Sequence, residues 1–296
     1  MRTFSIIFLS FCSCMGFSQP KPSLDSVAAH IGQLLLQHKG NFAVAFKDPA
    51  SGKTLFINEH ALFHAASTMK TPVMMEVYQQ AAAGLLSMND AVPVHNHFKS
   101  IADSSVYTLD SADDSEHELY TKIGTNMRLY DLVYAMIIRS SNLATNIVIE
   151  KVGAPNVMRT MRHMGAQQIQ VLRGVEDNKA FAAGLNNKVT AYDLMLLYEA
   201  LANGRAVNAA ASTDMIDILL HQEFNDIIPA RLPAGVKVAH KTGNITGVHH
   251  DSGIVYLPDG RKYVLVLLSS GWDDEGDAIA AMAEVSRLLY SWMITS

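Results

Sequence analysis

The chain has 296 residues, 49% of them hydrophobic and 17% charged, and a formal net charge of −5 at pH 7. This gives enough apolar material for a sizeable core, in one large domain or two intimately packed lobes. With no run of Lys or Arg, the chain lacks the electrostatic footprint of a nucleic-acid or anionic-membrane binder.

The N-terminus differs from the rest. Met1-Arg2 is a positive start, and residues 3–17 form an apolar run of about fifteen residues, the length of a signal-peptide core. Gly16 and Ser18 are the small residues a cut before Gln19 requires. A spanning anchor would need ~20 apolar residues. The expectation is a cleavable signal peptide over 1–18, export to the periplasm and a mature domain over 19–296 with no stable membrane anchor. Both cysteines, Cys12 and Cys14, fall in the removed segment, preceded by the bulky Phe11 and by Phe-Cys-Ser, poor matches to a lipid-attachment site. The mature chain then has no disulfide, no Cys nucleophile and no thiolate metal site.

Along the mature chain, residues 22–38 carry apolar positions at helical spacing and stop at Gly40. Asn41–Phe46 and Thr54–Ile57 read as a hairpin around the turn Asp48-Pro-Ala-Ser-Gly52. Residues 67–82 read as a buried Met- and Ala-rich helix ending at Gly84. Further helices are expected over 128–139, 142–152, 155–164 and 191–202. Between them, residues 99–122 read as an acidic surface insertion and residues 173–190 as a long ordered loop, a feature that is often functional. Helix 211–221 is followed by strands over 236–240, 249–257 and 262–269, and a helix over 277–293 closes the chain. Strands at both ends with helices between them imply an α+β architecture: an antiparallel sheet built from about 19–62 and 210–296, flanked by helices, and an inserted all-helical lobe over about 63–209. The cleft between the lobes is the place for a site.

Three short motifs carry chemistry. Ser67-Thr-Met-Lys70 opens a helix, so the Lys70 ammonium can reach the Ser67 hydroxyl from one turn away. A serine hydroxyl needs a neighbouring base, and a desolvated lysine can be neutral enough to serve. Ser140-Ser-Asn142 lies between two helices, and Lys241-Thr-Gly243 lies between two β runs. Taken singly, each reads as an ordinary cap or strand-end turn. Taken together, in this order, they form the signature set of penicillin-binding proteins and class A β-lactamases. Over nearly all of its mature length the chain resembles that penicillin-recognising serine hydrolase superfamily, including the segments FHAASTMKTPVM, SSNLATNIVIEKVG and VAHKTGNITG.

The resemblance implies a β-lactamase acting on a small-molecule β-lactam; the absence of an interface stripe and of a ligand-spaced set of residues points to a monomer without metal, and no cofactor is expected. The resemblance makes Ser67 the nucleophile and Lys70 its activating partner. Ser140 would pass a proton to the lactam nitrogen, Asn142 would bind the substrate amide, and Lys241 and Thr242 would hold the substrate carboxylate. Gly243 belongs to the same substrate-binding strand, and the Asn244 N–H would complete an oxyanion hole with that of Ser67. Glu176, on the loop after the second motif and ahead of Thr190, would activate the deacylating water.

Several positions depart from the pattern. Ala180 stands where an Asn usually helps to hold that water, with Asn178 or Asn186 as candidate substitutes. Ser141 replaces the usual Asp of Ser-Asp-Asn, and HHDSG (249–253) stands where a carboxylate-binding Arg is common. These departures keep open two other readings: a peptidase acting on D-Ala-D-Ala stems, and a lactam sensor that acylates and stops. The pairs His95/His97 and His249/His250 lack ligand-set spacing and read as surface or cleft-rim residues. The fifteen Met read as core filler.

Overall fold

A computed structural model describes residues 22–295; the signal-peptide reading, with Cys12 and Cys14, lies outside them. The elements in chain order are α1 (Leu24–Leu35), β1 (Asn41–Lys47), β2 (Thr54–Ile57), β3 (Phe63–His64), a 3₁₀ turn (Ala66–Met69) and α2 (Lys70–Ala82). The short strands β4 (Ala91–Pro93), β5 (Phe98–Lys99), β6 (Val106–Tyr107) and β7 (Asn126–Arg128) follow. Next come α3 (Leu129–Ile138), α4 (Asn142–Val152), α5 (Ala154–His163), α6 (Asn178–Ala182), β8 (Lys188–Val189), α7 (Ala191–Ala202) and α8 (Ala209–Leu220). The chain ends with β9 (Lys237–Ile245), β10 (Val248–Tyr256), β11 (Lys262–Ser270) and α9 (Glu275–Ile294).

The main sheet has five strands in the order β2-β1-β11-β10-β9, all antiparallel, so the two ends of the chain pair as β1 with β11. Side chains alternate between faces along a strand. Phe42, Val44 and Phe46 of β1, with Leu265 and Leu267 of β11, therefore enter one core with α1 and α9. Ala43, Ala45, Val264, Val266 and Leu268 enter the other core, with α2 to α5, α7 and α8. Burial on both faces explains why these strands read as continuous apolar runs. The small Ala side chains of β1 face the helical side, where α7 lies against β1 and β11.

Two sequence expectations are corrected. The 99–122 segment is no mere surface insertion: Leu109 and Leu119 are buried in the helical core, and Asp114 and Glu116 are buried as well. Polar composition hid this, because the acids are buried with partners, namely backbone N–H groups for Asp114 and Arg139 for Glu116. Strand β9 also runs five residues further than expected, to Ile245, so Lys241-Thr-Gly243 lies inside a strand and not at its end. No helix among the described residues is long and apolar enough to cross a membrane.

Candidate active site

Ser67 lies in the 3₁₀ turn that runs into α2, and not in the first turn of an α-helix as expected. Lys70 opens α2 one turn after Ser67, and its Nζ is turned to Ser140 and Asn142. The residue before the serine, Ala66, has φ 44°, a left-handed conformation that costs a non-glycine residue energy. Its N–H donates to His64 Nδ1 (3.1 Å), and the Ala65 N–H donates to Asn187 O (2.9 Å). The nucleophile turn is thus pinned from both sides.

A cleft of about 680 Å³ opens over this turn, and Ser67, Ser140, Asn142, Glu176, Thr242 and Asn244 line it. Lys70 and Lys241 lie behind its wall, both fully buried. Lys70 Nζ donates to Ser140 O (2.7 Å), Ser140 Oγ (3.1 Å) and Asn142 Oδ1 (3.0 Å). Burial lowers its pKa to about 7, against the opposing pull of the Asp114 and Glu176 carboxylates. Lys241 is pushed well below the usual lysine range by burial and then by the nearby Lys70, with Asp251 opposing; its Nζ donates to Thr242 O (3.0 Å).

Glu176 faces the cleft, and its Oε1 accepts from Asn142 Nδ2 at 2.6 Å. Burial raises its pKa, the hydrogen bond from Asn142 opposes that rise, and Asp114 and Asp113 add to it. The Asn142 amide therefore spans the lysine and the glutamate, its oxygen on one and its nitrogen on the other. Helix α4 begins at Asn142 and ends at Val152, with Gly153 as its C-cap, and Ser141 caps its start by accepting from the Ala144 N–H (3.1 Å). One turn along, Asn146 holds the Glu176 loop: its Oδ1 accepts from the Val175 N–H (2.7 Å) and its Nδ2 donates to Val175 O (3.0 Å). The loop passes so close that a Cβ on Gly174 would lie 2.2 Å from Asn146 Oδ1.

Gly243 is close-packed as well. A Cβ there would sit 3.1 Å from the Ser67 nitrogen and 3.0 Å from that of Thr68, so a side chain would press β9 against the backbone of the nucleophile turn. Asn244, next on the strand, donates through Nδ2 to Glu275 Oε1 (2.9 Å).

The structure thus gathers all nine expected site residues, Glu176 among them, around one cleft. Sequence reasoning missed Asn146 and Asp114. Asn146 carries a signal, since it lies four residues after Asn142 and so on the same helix face; Asp114, one of several acids in a polar stretch, carries none. Of the two suggested substitutes for the missing loop Asn, Asn186 is committed to Arg173 Nη2 (3.0 Å), whereas Asn178 is exposed and lines the cleft. The histidine reading holds for His249, which lines the cleft, and is corrected for His250, which is fully buried. His250 lies at about pKa 4, lowered by burial. Neutral, it donates through Nε2 to His64 O (2.9 Å) and accepts the Ser269 N–H at Nδ1 (3.1 Å), tying β10 to the strand that leads to Ser67.

Fold and cleft together define a serine hydrolase of the penicillin-recognising superfamily. The chain belongs to the beta-lactamase enzyme family, whose model matches residues 26–293. It is 27% identical over 240 residues to a beta-lactamase of Streptomyces cellulosae, covering 79% of this chain and 73% of that one. To a beta-lactamase of Rhodobacter capsulatus it is 29% identical over 270 residues, covering 90% and 87%. Among solved structures, the beta-lactamase of Sphaerobacter thermophilus superposes with a TM-score of 0.77 at 26% identity, over 93% of this chain and 98% of that one.

Proposed function

We propose that the protein is a class A-type β-lactamase that hydrolyses the lactam amide through an ester on Ser67. The observation that carries this reading is the Asn142 amide, held between the Lys70 amine and the Glu176 carboxylate in the cleft that Ser67 lines. Acyl transfer needs a base for the serine, and turnover needs a second base for water; a buried lysine near pKa 7 and a carboxylate with a raised pKa suit those tasks at neutral pH.

In the first half, Ser67 Oγ attacks the lactam carbonyl and its proton passes to neutral Lys70. The N–H groups of Ser67 and Asn244 receive the oxyanion. The C–N bond then breaks as Ser140 Oγ gives its proton to the departing nitrogen, and Lys70, hydrogen-bonded to that oxygen, replaces it. Thr242, which lines the cleft, holds the substrate carboxylate with Lys241 buried behind it beside Gly243, and Asn142 binds the substrate amide. In the second half, Glu176 takes a proton from water, the hydroxide attacks the ester, and Ser67 leaves with the proton. Export with loss of residues 1–18 would place this activity in the periplasm.

One observation favours a slower second reading, a D-Ala-D-Ala peptidase or an acylate-and-stop sensor. Ala180, where a water-holding Asn is usual, is a fully buried methyl group. The test is a time course of intact mass and chromogenic cephalosporin hydrolysis. The wild type should turn over with little adduct, Ser67→Ala should show neither labelling nor turnover, and Glu176→Gln should trap a Ser67 adduct with turnover down by about 10²-fold or more. A stable adduct on the wild type would favour the second reading, and labelling of Ser67→Ala at another residue would remove the nucleophile assignment.

A further inference from the structure

The carboxylate at the start of α4 comes from a distant part of the chain. Ser141, before the helix, offers only a hydroxyl, to the Ala144 N–H. Asp114, from the 99–122 segment, accepts the first two helical N–H groups instead: that of Asn142 at 3.0 and 2.9 Å, one to each oxygen, and that of Leu143 at 2.9 Å. The same carboxylate accepts the Glu116 N–H (3.1 Å) and the Tyr120 hydroxyl (3.0 Å), and Asp114 is only 3% exposed. A buried carboxylate with this many donors is held rigidly, and it suits a helix N-terminus both by hydrogen bonding and by dipole.

We propose that Asp114 is a positioning residue of the active site: by fixing the backbone of Asn142 it sets the side-chain amide that spans Lys70 and Glu176. No contact with substrate is involved. Asn142 gives one amide to both partners, so a rotation of its backbone moves both hydrogen bonds together. The inference rests on the reaction proposed above for its kinetic readouts, and on the position and charge of the buried groups around Lys70 for its titration readout.

Charge supplies that readout. Lys70 faces Asp114, Glu176 and Lys241; the two carboxylates raise its pKa and burial lowers it. Asp114 likewise raises the pKa of Glu176. Removing the Asp114 charge therefore lowers both, so the acid limb of the pH–rate profile moves to lower pH whichever group is the base in acylation. A residue that merely stabilised the fold would lower the melting temperature and leave that limb in place.

The experiment uses the full mature chain. Lys70 is titrated by NMR with ¹³C at lysine Cε, assigned with Lys70→Arg, in wild type and Asp114→Asn. The pH dependence of acylation by a penicillin is measured alongside. In Asp114→Asn the Lys70 titration and the acid limb should both move to lower pH, and kcat/KM at neutral pH should fall by roughly 10- to 100-fold. Moving the carboxylate to the helix cap, in Asp114→Ser/Ser141→Asp, should restore both. An unmoved titration with kcat/KM within about twofold of wild type overturns the proposal. Should Asp114→Asn not fold, the double variant decides: a folded protein with wild-type titration upholds the proposal. A displaced titration, or a second failure to fold, overturns it. The titration needs no lactam, so failure of the lactam reading leaves this test intact.

Discussion

His249 illustrates how much a single side chain depends on what surrounds it. Burial alone would lower its pKa, but Asp226 against Nε2 (3.3 Å) and Glu275 against Nδ1 (2.9 Å) outweigh burial, and the net shift is upward. A folded-state pKa above the unfolded value means that the folded protein binds the proton more tightly. The stabilisation is complete below the unfolded value of about 6.5 and is lost as pH rises through the folded one. His249→Gln should therefore lower the melting temperature most near pH 5.5 and least near about pH 9. A deficit that grew with pH would contradict the ion-pair account. The sequence reading of His249 and His250 as surface or cleft-rim residues could not show that β10 is an inner strand of the sheet, buried along nearly all its length. Three residues at the cleft, Ala66, Ser140 (φ 56°) and Glu176 (φ 60°), also take left-handed backbone conformations without being glycine. At 140 and 176 the proposed chemistry needs a side chain, so the residue that would relieve the strain is also the one that would remove the function.

Among the elements, regular helices were the most legible. The reading gave α4 and α7 to the residue, because apolar periodicity is bounded there by Ser141 and Gly153 and by Thr190 and Asn203. Short strands were not legible: β3 with β8 and β5 with β6 are two-residue pairings that no alternation pattern can announce. The β5–β6 hairpin nevertheless braces the Glu176 loop. Asp177, beside the glutamate, accepts from Ser100 Oγ (2.8 Å) and the Ile101 N–H (2.9 Å) while capping α6 at the Ala180 N–H (3.0 Å). Lys179 adds contacts to Asp103 and Ser105, and these are exposed and weaker. Asp177→Ala leaves the Ser100 hydroxyl and two N–H groups without this acceptor and should cost about 1–3 kcal/mol of stability. Since the brace acts on the loop and not on Ser67, deacylation should suffer more than acylation. A penicillin adduct should accumulate in intact-mass time courses under conditions where wild type shows little. Equal slowing of both steps would mean that the hairpin supports the whole cleft and not the loop alone.

At the scale of the molecule, the sheet separates two cores that do different work. The sequence made the architecture legible because strands at both ends bracket a helical middle, but it gave no view of which core the cleft adjoins. Beneath Ser67 lies the helical core, with Met69, Val73 and Met74 among its fully buried members. On the far face, α1 and α9 pack on Phe46, Leu265 and Leu267 through Ile31, Val285 and Leu289. The far core contributes stability, and among the described residues it meets the site through the sheet and the start of α9, where Glu275 meets Asn244 and His249. Leu289 lies more than three turns down that helix, so its truncation tests whether the two cores are separable. Leu289→Ala should cost about 2–5 kcal/mol by lost burial and an unfilled cavity. The melting temperature should then drop by roughly 5–15 °C. Well below the transition, kcat and KM should stay at wild-type values. A matching loss of kcat in a protein still folded by circular dichroism would show that the sheet transmits packing strain to the nucleophile turn, and that the two cores act on the site as one.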